Sequence, residues 1–229
     1  MAIAAGVCPL GDVASQRDAI AALQNVPLAA VCLAAVAGDL AAMAELGDRF
    51  GRGKRGAQVN LAQAADWNRR AAAGHVAIAQ SRLAFMHEKG FGGLAINLAE
   101  AVRLYKLAGA QGEASAQHSL GMCYENSIGM AQDSVKAVRL FRLAAAQGNA
   151  GSQAALGFAY YTGRGVDRDV VQARSWSQLA ADQGHADGQN NLATIYLDVD
   201  NDRANARIWY MRAAEQGHIL ALKKLLGVN

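Results

Sequence analysis

A leucine recurs along this chain at positions 46, 83, 120, 156 and 192, in steps of 37, 37, 36 and 36 residues. A fixed period of this size constrains the fold more than any other feature. It marks an array of small units, each of which buries its apolar face only by stacking on a neighbour. The fullest copy runs from Ala154 to Val166, where Leu156-Gly157 is followed by Tyr160 and by the turn Thr162-Gly163-Arg164-Gly165-Val166. The pair recurs as Leu120-Gly121 with Tyr124 and Leu46-Gly47 with Phe50. It recurs with substitutions as Leu83-Ala84 with His87 and Leu192-Ala193 with Tyr196. Leu156 and Tyr160 are four apart and share one helical face, which predicts that both enter the core. Gly157 costs about 1 kcal/mol of helix propensity and leaves room for a partner helix to come close.

A second helix follows each turn. Its start is marked by Asn60, Asn97, Asp133, Asp169 or Asp202, side chains that accept from the free N–H groups of a first helical turn. Gln63, Glu100 and Gln172 stand three residues later, the spacing of a reciprocal capping box. Alanine follows each time, as Ala64, Ala101, Ala137, Ala173 and Ala206, and then large side chains such as Trp67, Tyr105, Phe141, Trp176 and Tyr210. Gly74, Gly112, Gly148, Gly184 and Gly217 close these helices and are expected in the left-handed conformation.

The spacing predicts loop over residues 1–14, a short helix from Ser15 to Asn25, and a second with Pro27 in its first turn and Gly38 at its end. Residues 1–38 then form an N-terminal segment with a degenerate capping helix pair. Five units follow, at 39–75, 76–113, 114–149, 150–185 and 186–218, and residues 219–229 close the array as a capping helix. The fifth unit is shortened, because Tyr196 reaches Asp202 without a Gly-x-Gly turn.

Composition excludes several functions. Hydrophobic residues make up 52%, much of it alanine, with only two prolines among 229 residues, as in closely packed helices. The net charge of +3 is modest and no five like charges run together, so neither nucleic acid nor an anionic membrane is called for. Cys8, Cys32 and Cys123 are odd in number and lack CxxC spacing, which argues against a disulfide framework or a structural zinc site. No apolar run approaches the roughly 18 residues of a membrane span. The N-terminus lacks the basic start and long apolar core of a secretory signal and fits a lipoprotein cleavage site poorly. A monomeric, cytoplasmic protein is expected, with a processed exported form as the other possibility.

These residues resemble the Sel-one-like repeat family, relatives of the tetratricopeptide repeats. The fourth repeat carries the family pattern from Leu156 to Gly184, and Trp209-Tyr210 to Gln216-Gly217 repeats its closing half; the resemblance covers residues 39 to 226. His87 at the aromatic position, Ala84 and Ala193 for glycine, and the lost fifth turn depart from it. The resemblance implies a right-handed α/α superhelix, a solenoid of helix-turn-helix repeats, serving as an adaptor for protein complexes. It implies no catalytic residue and no cofactor. Pentatricopeptide repeats, which read RNA, lack this Gly-x-Gly-Val turn and Ala-Ala-x-Gln-Gly close. Some disulfide-rich secreted relatives are linked to β-lactam binding or hydrolysis, but their paired cysteines are absent here. A secreted-type ligand binder or hydrolase, and a dedicated inhibitor or regulator of one partner, are the alternative readings.

In such a superhelix the first helices line the concave wall, as the resemblance implies. A stripe about 200° around from the leucine face then holds Phe158 and Tyr161 in the fourth repeat, Phe85 and Glu88 in the second, and His118, Met122 and Glu125 in the third. Phe85, Met122 and Phe158 are expected in one row, a docking strip for a partner helix or peptide, with Arg82, Glu88, Glu125, Asn190 and Asn191 as its polar rim. The competing expectation is that these side chains pack against the adjacent repeat. His118 lies on the stripe, yet no carboxylate or cysteine is spaced with it to make a metal site. The turns Gly51-Arg52-Gly53-Lys54 and Gly163-Arg164-Gly165 follow helices rather than strands and lack the ending of a phosphate loop. No nucleophile elbow and no His-Glu-x-x-His motif occurs, so catalysis has no residue to start from.

Overall fold

A computed structural model describes residues 13–227, and its regular elements are thirteen α-helices and one short 3-10 turn, Phe91–Gly93, with no strand among the described residues. An N-terminal pair, α1 (Val13–Ala22) and α2 (Leu28–Val36), precedes five helix pairs. These are α3 (Leu40–Arg52) with α4 (Leu61–Ala73), α5 (Ala77–Lys89) with α6 (Leu98–Ala110), and α7 (Ala114–Asn126) with α8 (Ser134–Ala146). Then come α9 (Ala150–Thr162) with α10 (Val170–Asp182), α11 (Ala186–Asp198) with α12 (Arg203–Glu215), and a last helix, α13 (Ile219–Leu226). The first helix begins two residues before the expected Ser15 and ends at Ala22, short of Asn25. The expected N-terminal loop lies outside the described residues as far as residue 12, as does Cys8.

Each repeat is held by the same few bonds. Asn60, Asn97, Asp133, Asp169 and Asp202 each accept the N–H three residues on, at 2.9–3.0 Å. The reciprocal half of the expected capping box is replaced by something else. The cap residue's own N–H donates at 2.8–3.0 Å to the carbonyl of the aromatic position: Phe50, His87, Tyr124, Tyr160 or Tyr196. That donor is therefore already satisfied, and Glu100 turns instead to Arg103, with two contacts of 2.7 Å. Its carboxyl is held below the usual range chiefly by that bond.

The leucines at 46, 83, 120, 156 and 192 and the alanines at 64, 101, 137, 173 and 206 are all buried. Beside the leucines, Gly47, Gly121 and Gly157 sit where a Cβ would collide with Asn68, Phe141 and Ser177 of the second helix. The aromatic positions are half-buried, and Phe50, Tyr124, Tyr160 and Tyr196 pack against the core clusters, as the shared face predicts. Cations of second helices lie over them: Lys136 over Tyr124, Arg142 over Tyr160 and Arg174 over Tyr196, 5.2–5.8 Å from the ring centres.

In three of the turns a left-handed glycine has a packing reason as well as a conformational one. Gly165 has φ +70°, and a Cβ there would run into the backbone carbonyl of Ser134, the first residue of α8. Gly92 and Gly129 meet Leu61 and Leu98 in the same way. The closing glycines are left-handed as expected, except at Gly74, whose φ is −81°. His75 takes the left-handed position there (φ +63°), and Gly74 itself lies where a Cβ would meet the Leu40 side chain.

By compactness the chain divides into residues 1–120 with 128–130, and residues 121–127 with 131–229; the division falls within α7. In the first unit, Val31 and Ala35 pack on Ala42 and Leu46, flanked by Phe50 and Trp67. Val76 stands at the start of α5 without a side chain able to cap it. Gln16 of α1 supplies the acceptor, taking the Ala77 N–H at 2.9 Å. In the second unit, one cluster joins Phe141 and Leu156, and another joins Ala193, Tyr210 and Ala221 of the closing helix α13.

Candidate functional site

The first helices of the first unit carry a cleft of about 410 Å³. Asp48 and Arg52 of α3, Arg82 and Phe85 of α5, and Phe91 of the following turn line it. Phe85 is 45% exposed and lies edge-to-face with Phe91, ring centres 5.8 Å apart, while Lys89 stands 5.9 Å from its ring centre. Arg82 donates from Nη1 to the Ala44 carbonyl at 2.8 Å and pairs through Nη2 with Asp48 at 3.1 Å. Burial pushes its guanidinium pKa down, with the Asp48 charge acting against that shift. Glu88, expected on the rim, accepts from the Tyr105 hydroxyl at 3.0 Å and pairs with Lys89 at 2.6 Å.

In the second unit Phe158 occupies the position corresponding to Phe85 and is likewise 45% exposed. Met122, expected in the same row, instead lies half-buried against the Phe141–Leu156 cluster. Tyr161 donates its hydroxyl to Asp198 at 2.8 Å with Arg168 over its ring, and burial followed by that bond raises its pKa. Glu125 pairs with Arg164 at 3.0 Å. Asn191 donates to the Ala154 carbonyl at 2.9 Å, while the Asn190 carbonyl accepts from Thr194 within α11. His118, in the first unit, is half-buried. Most of the expected rim is thus engaged in tying helices together. The two phenylalanines are the large apolar groups of the expected row that reach solvent.

Two sets of residues escaped the sequence reading. Asp48 holds in the first repeat the position of Phe85 in the second, so carrying the stripe one period toward the N-terminus would have found it. Gln80, Gln117, Gln153 and Gln189 also recur at the array's period. Gln80, Gln153 and Gln189 accept from the closing Gln111, Gln183 and Gln216 at 2.7–2.8 Å. The amides of Gln80, Gln117 and Gln153 also donate to Ala72, Gly109 and Ala145 of the preceding repeat at 3.2–3.4 Å. The closing glutamine read as part of a motif is half of a part-buried clamp.

No group of three or more His, Cys, Asp or Glu among the described residues could hold a metal, and no helix there is long and apolar enough to cross a membrane.

Repeated helix-turn-helix units of this construction define a helical repeat protein. A family model, the Sel1 repeat, matches residues 40–75, 77–113, 114–149, 150–185 and 186–218, and the chain belongs to that family. Sel1 repeat proteins generally mediate protein–protein interactions and are generally non-enzymatic scaffolds. Among solved structures, the chain is similar to a protective antigen present in uropathogenic Escherichia coli strains and displaying an SLR fold. Identity is 36% and TM-score 0.74, over 88% of this chain and 43% of that one; it thus spans less than half of the antigen's length. It is also similar to a Sel1 repeat protein from Oxalobacter formigenes, with 31% identity and TM-score 0.71 over 82% of this chain and 75% of that one. An immunity protein from Pseudomonas aeruginosa shares the fold alone, at 19% identity and TM-score 0.53 over 77% and 67% of the two chains. No curated protein matches the chain.

Proposed function

We propose that the protein is a non-enzymatic interaction scaffold whose first-helix face binds a partner peptide or helix. One observation carries this reading. Phe85 and Phe158, at corresponding positions of the second and fourth repeats, are each 45% exposed although their helices bury the leucine face completely enough to hold the array. A large ring left in water at a repeated position costs hydration free energy that docking would recover. Aromatic side chains of this kind commonly anchor interfaces.

Affinity capture from a lysate of the source organism tests the reading, comparing wild type with a Phe85→Glu/Phe158→Glu double variant whose helicity is checked by circular dichroism. A protein retained by the wild type and lost by the folded variant supports the scaffold and its face. A protein retained equally by both moves the surface to the second helices or the turns.

A further inference from the structure

Two guanidinium groups line the cleft of the first unit beside an exposed aromatic pair. Around this cleft, two carboxylates of α3 hold five cations, two of which, Arg52 and Arg82, line it. Glu45 pairs with Arg49 at 2.7 Å and Arg55 at 2.9 Å. Asp48 pairs with Arg52 at 2.8 Å, Arg82 at 3.1 Å and Lys54 at 4.0 Å.

Arg52 and Arg82 both line the cleft and share the single Asp48 carboxylate. Arg52 engages it through Nε and is 61% exposed, which leaves its terminal nitrogens open to an incoming acceptor. Arg82 is largely buried, and the desolvation that lowers its pKa outweighs the opposing pull of Asp48. Asp48 and Glu113 match these two guanidinium groups in number, but Glu113 is buried and accepts the Ala116 N–H, so an incoming carboxylate would meet the open nitrogens of Arg52 rather than a second exposed acid. The other end of the same cleft is apolar, formed by Phe85 and Phe91, the latter 42% exposed.

We propose that this cleft binds a peptide segment in which a carboxylate side chain stands close to a large apolar residue, the carboxylate between Arg52 and Arg82 and the apolar group against Phe85 and Phe91. The volume of about 410 Å³ lies at the lower end of the range for ligand clefts and accommodates two or so side chains rather than a whole domain. Nucleic acid fits less well, because among the described residues Arg52 and Arg82 are the only cations lining the cleft and do not extend into a basic track for successive phosphates. The proposal rests on the interaction-scaffold reading and names the chemistry of the partner.

The test is selection of a random dodecapeptide library displayed on phage against the full chain, followed by binding of the winning peptides to three variants. Peptides enriched in Asp or Glu within one helical turn of Leu, Phe or Trp are expected. Their affinity should fall about tenfold or more in Arg52→Glu and in Phe85→Ser, and should weaken with salt. Arg82→Asn, which retains a side-chain donor for the Ala44 carbonyl, should also weaken them. Winners that are basic or uncharged overturn the proposal, and if Phe85→Ser still abolishes their binding the scaffold reading survives without it. Acidic winners indifferent to all three variants overturn the cleft as their site. Displacement of an acidic winner by a single-stranded oligonucleotide would make this a polyanion site and overturn the peptide assignment. Absence of any enriched peptide overturns the proposal, while the lysate capture decides the scaffold reading on its own.

Discussion

The second and fourth repeats share a framework and differ in what they display on it. Each exposes a phenylalanine at the same position to the same extent. Two first helices tie back to a carbonyl of a preceding first helix through the residue just before the core leucine: Arg82 of the second repeat reaches Ala44 of the first at 2.8 Å, and Asn191 of the fifth repeat reaches Ala154 of the fourth at 2.9 Å. The tie at residue 82 is a cation with nitrogens to spare, and the tie at 191 is a neutral amide. Near Phe85 the surroundings are therefore charged, whereas near Phe158 the prominent polar contact is the Tyr161–Asp198 hydrogen bond. A repeat can thus keep its geometry while its electrostatics change at one residue, because the geometry asks only for a donor.

The largest effect that would break this picture of a shared framework is at the core leucines. Leu156→Ala should destabilise by about 2–5 kcal/mol, since Leu156 is fully buried against Phe141 and Ala159. Unchanged thermal unfolding would remove Leu156 from the core. The turn glycines come next. Gly165→Ala combines a left-handed backbone with a collision against the Ser134 carbonyl and should cost roughly 2–4 kcal/mol. Gly184→Ala, left-handed but facing open space, should cost about 1–2 kcal/mol. Equal costs in chemical denaturation would show that contact between repeats is not what fixes the second glycine.

Smaller still is the change that sharpens the comparison itself. Arg82→Asn makes the second repeat's tie resemble the one at residue 191, and should alter stability by about 1 kcal/mol or less. Urea unfolding measures it, and a collapse of the array would mean that the guanidinium, rather than any donor, holds α3 to α5. The smallest effect is an acid limb. Asp133 and Asp202 have carboxyl pKa values lowered below 3.8, chiefly by bonds from the backbone N–H groups they cap. A depressed folded pKa gives stability that is present above the unfolded value and lost as pH falls through the folded one. Helicity followed by circular dichroism should therefore weaken below about pH 4 in the wild type. The weakening should be smaller in an Asp133→Asn/Asp202→Asn variant, because asparagine caps without titrating. Identical acid limbs would exclude these caps as its source.

The fold was legible because its determinants are periodic. Leucines, cap residues, buried alanines and turn glycines recur at one spacing, and each recurrence reports the same local physics. The surface was legible only in part. Helical geometry places Phe85, Met122 and Phe158 on one stripe, and it correctly separates Phe85 and Phe158 from the core. It cannot show that Met122 is drawn into the Phe141–Leu156 cluster, because that depends on the depth of a neighbouring helix. Nor does it show that Arg82, Glu88, Glu125 and Asn191 bind across elements, since those partners are 17 to 39 residues away in sequence. Gln16 is the extreme case. It caps α5 from 61 residues upstream, and only the apolar Val76 at a cap position hints that an outside acceptor is required.

The bond from each cap N–H to the carbonyl of the aromatic position has a consequence for how such chains can diversify. It fixes the two ends of every intra-repeat loop against each other, whatever lies between them. The fourth repeat spans the interval from Tyr160 to Asp169 and the fifth the shorter one from Tyr196 to Asp202, yet the closing bond is 2.9 Å in both. The loops are thus clamped at the base like the petals of a clasp, and segments of unequal length can be exchanged there without disturbing the helices. Grafting a foreign sequence between residues 196 and 202 offers a route to new specificities that leaves the helical frame untouched.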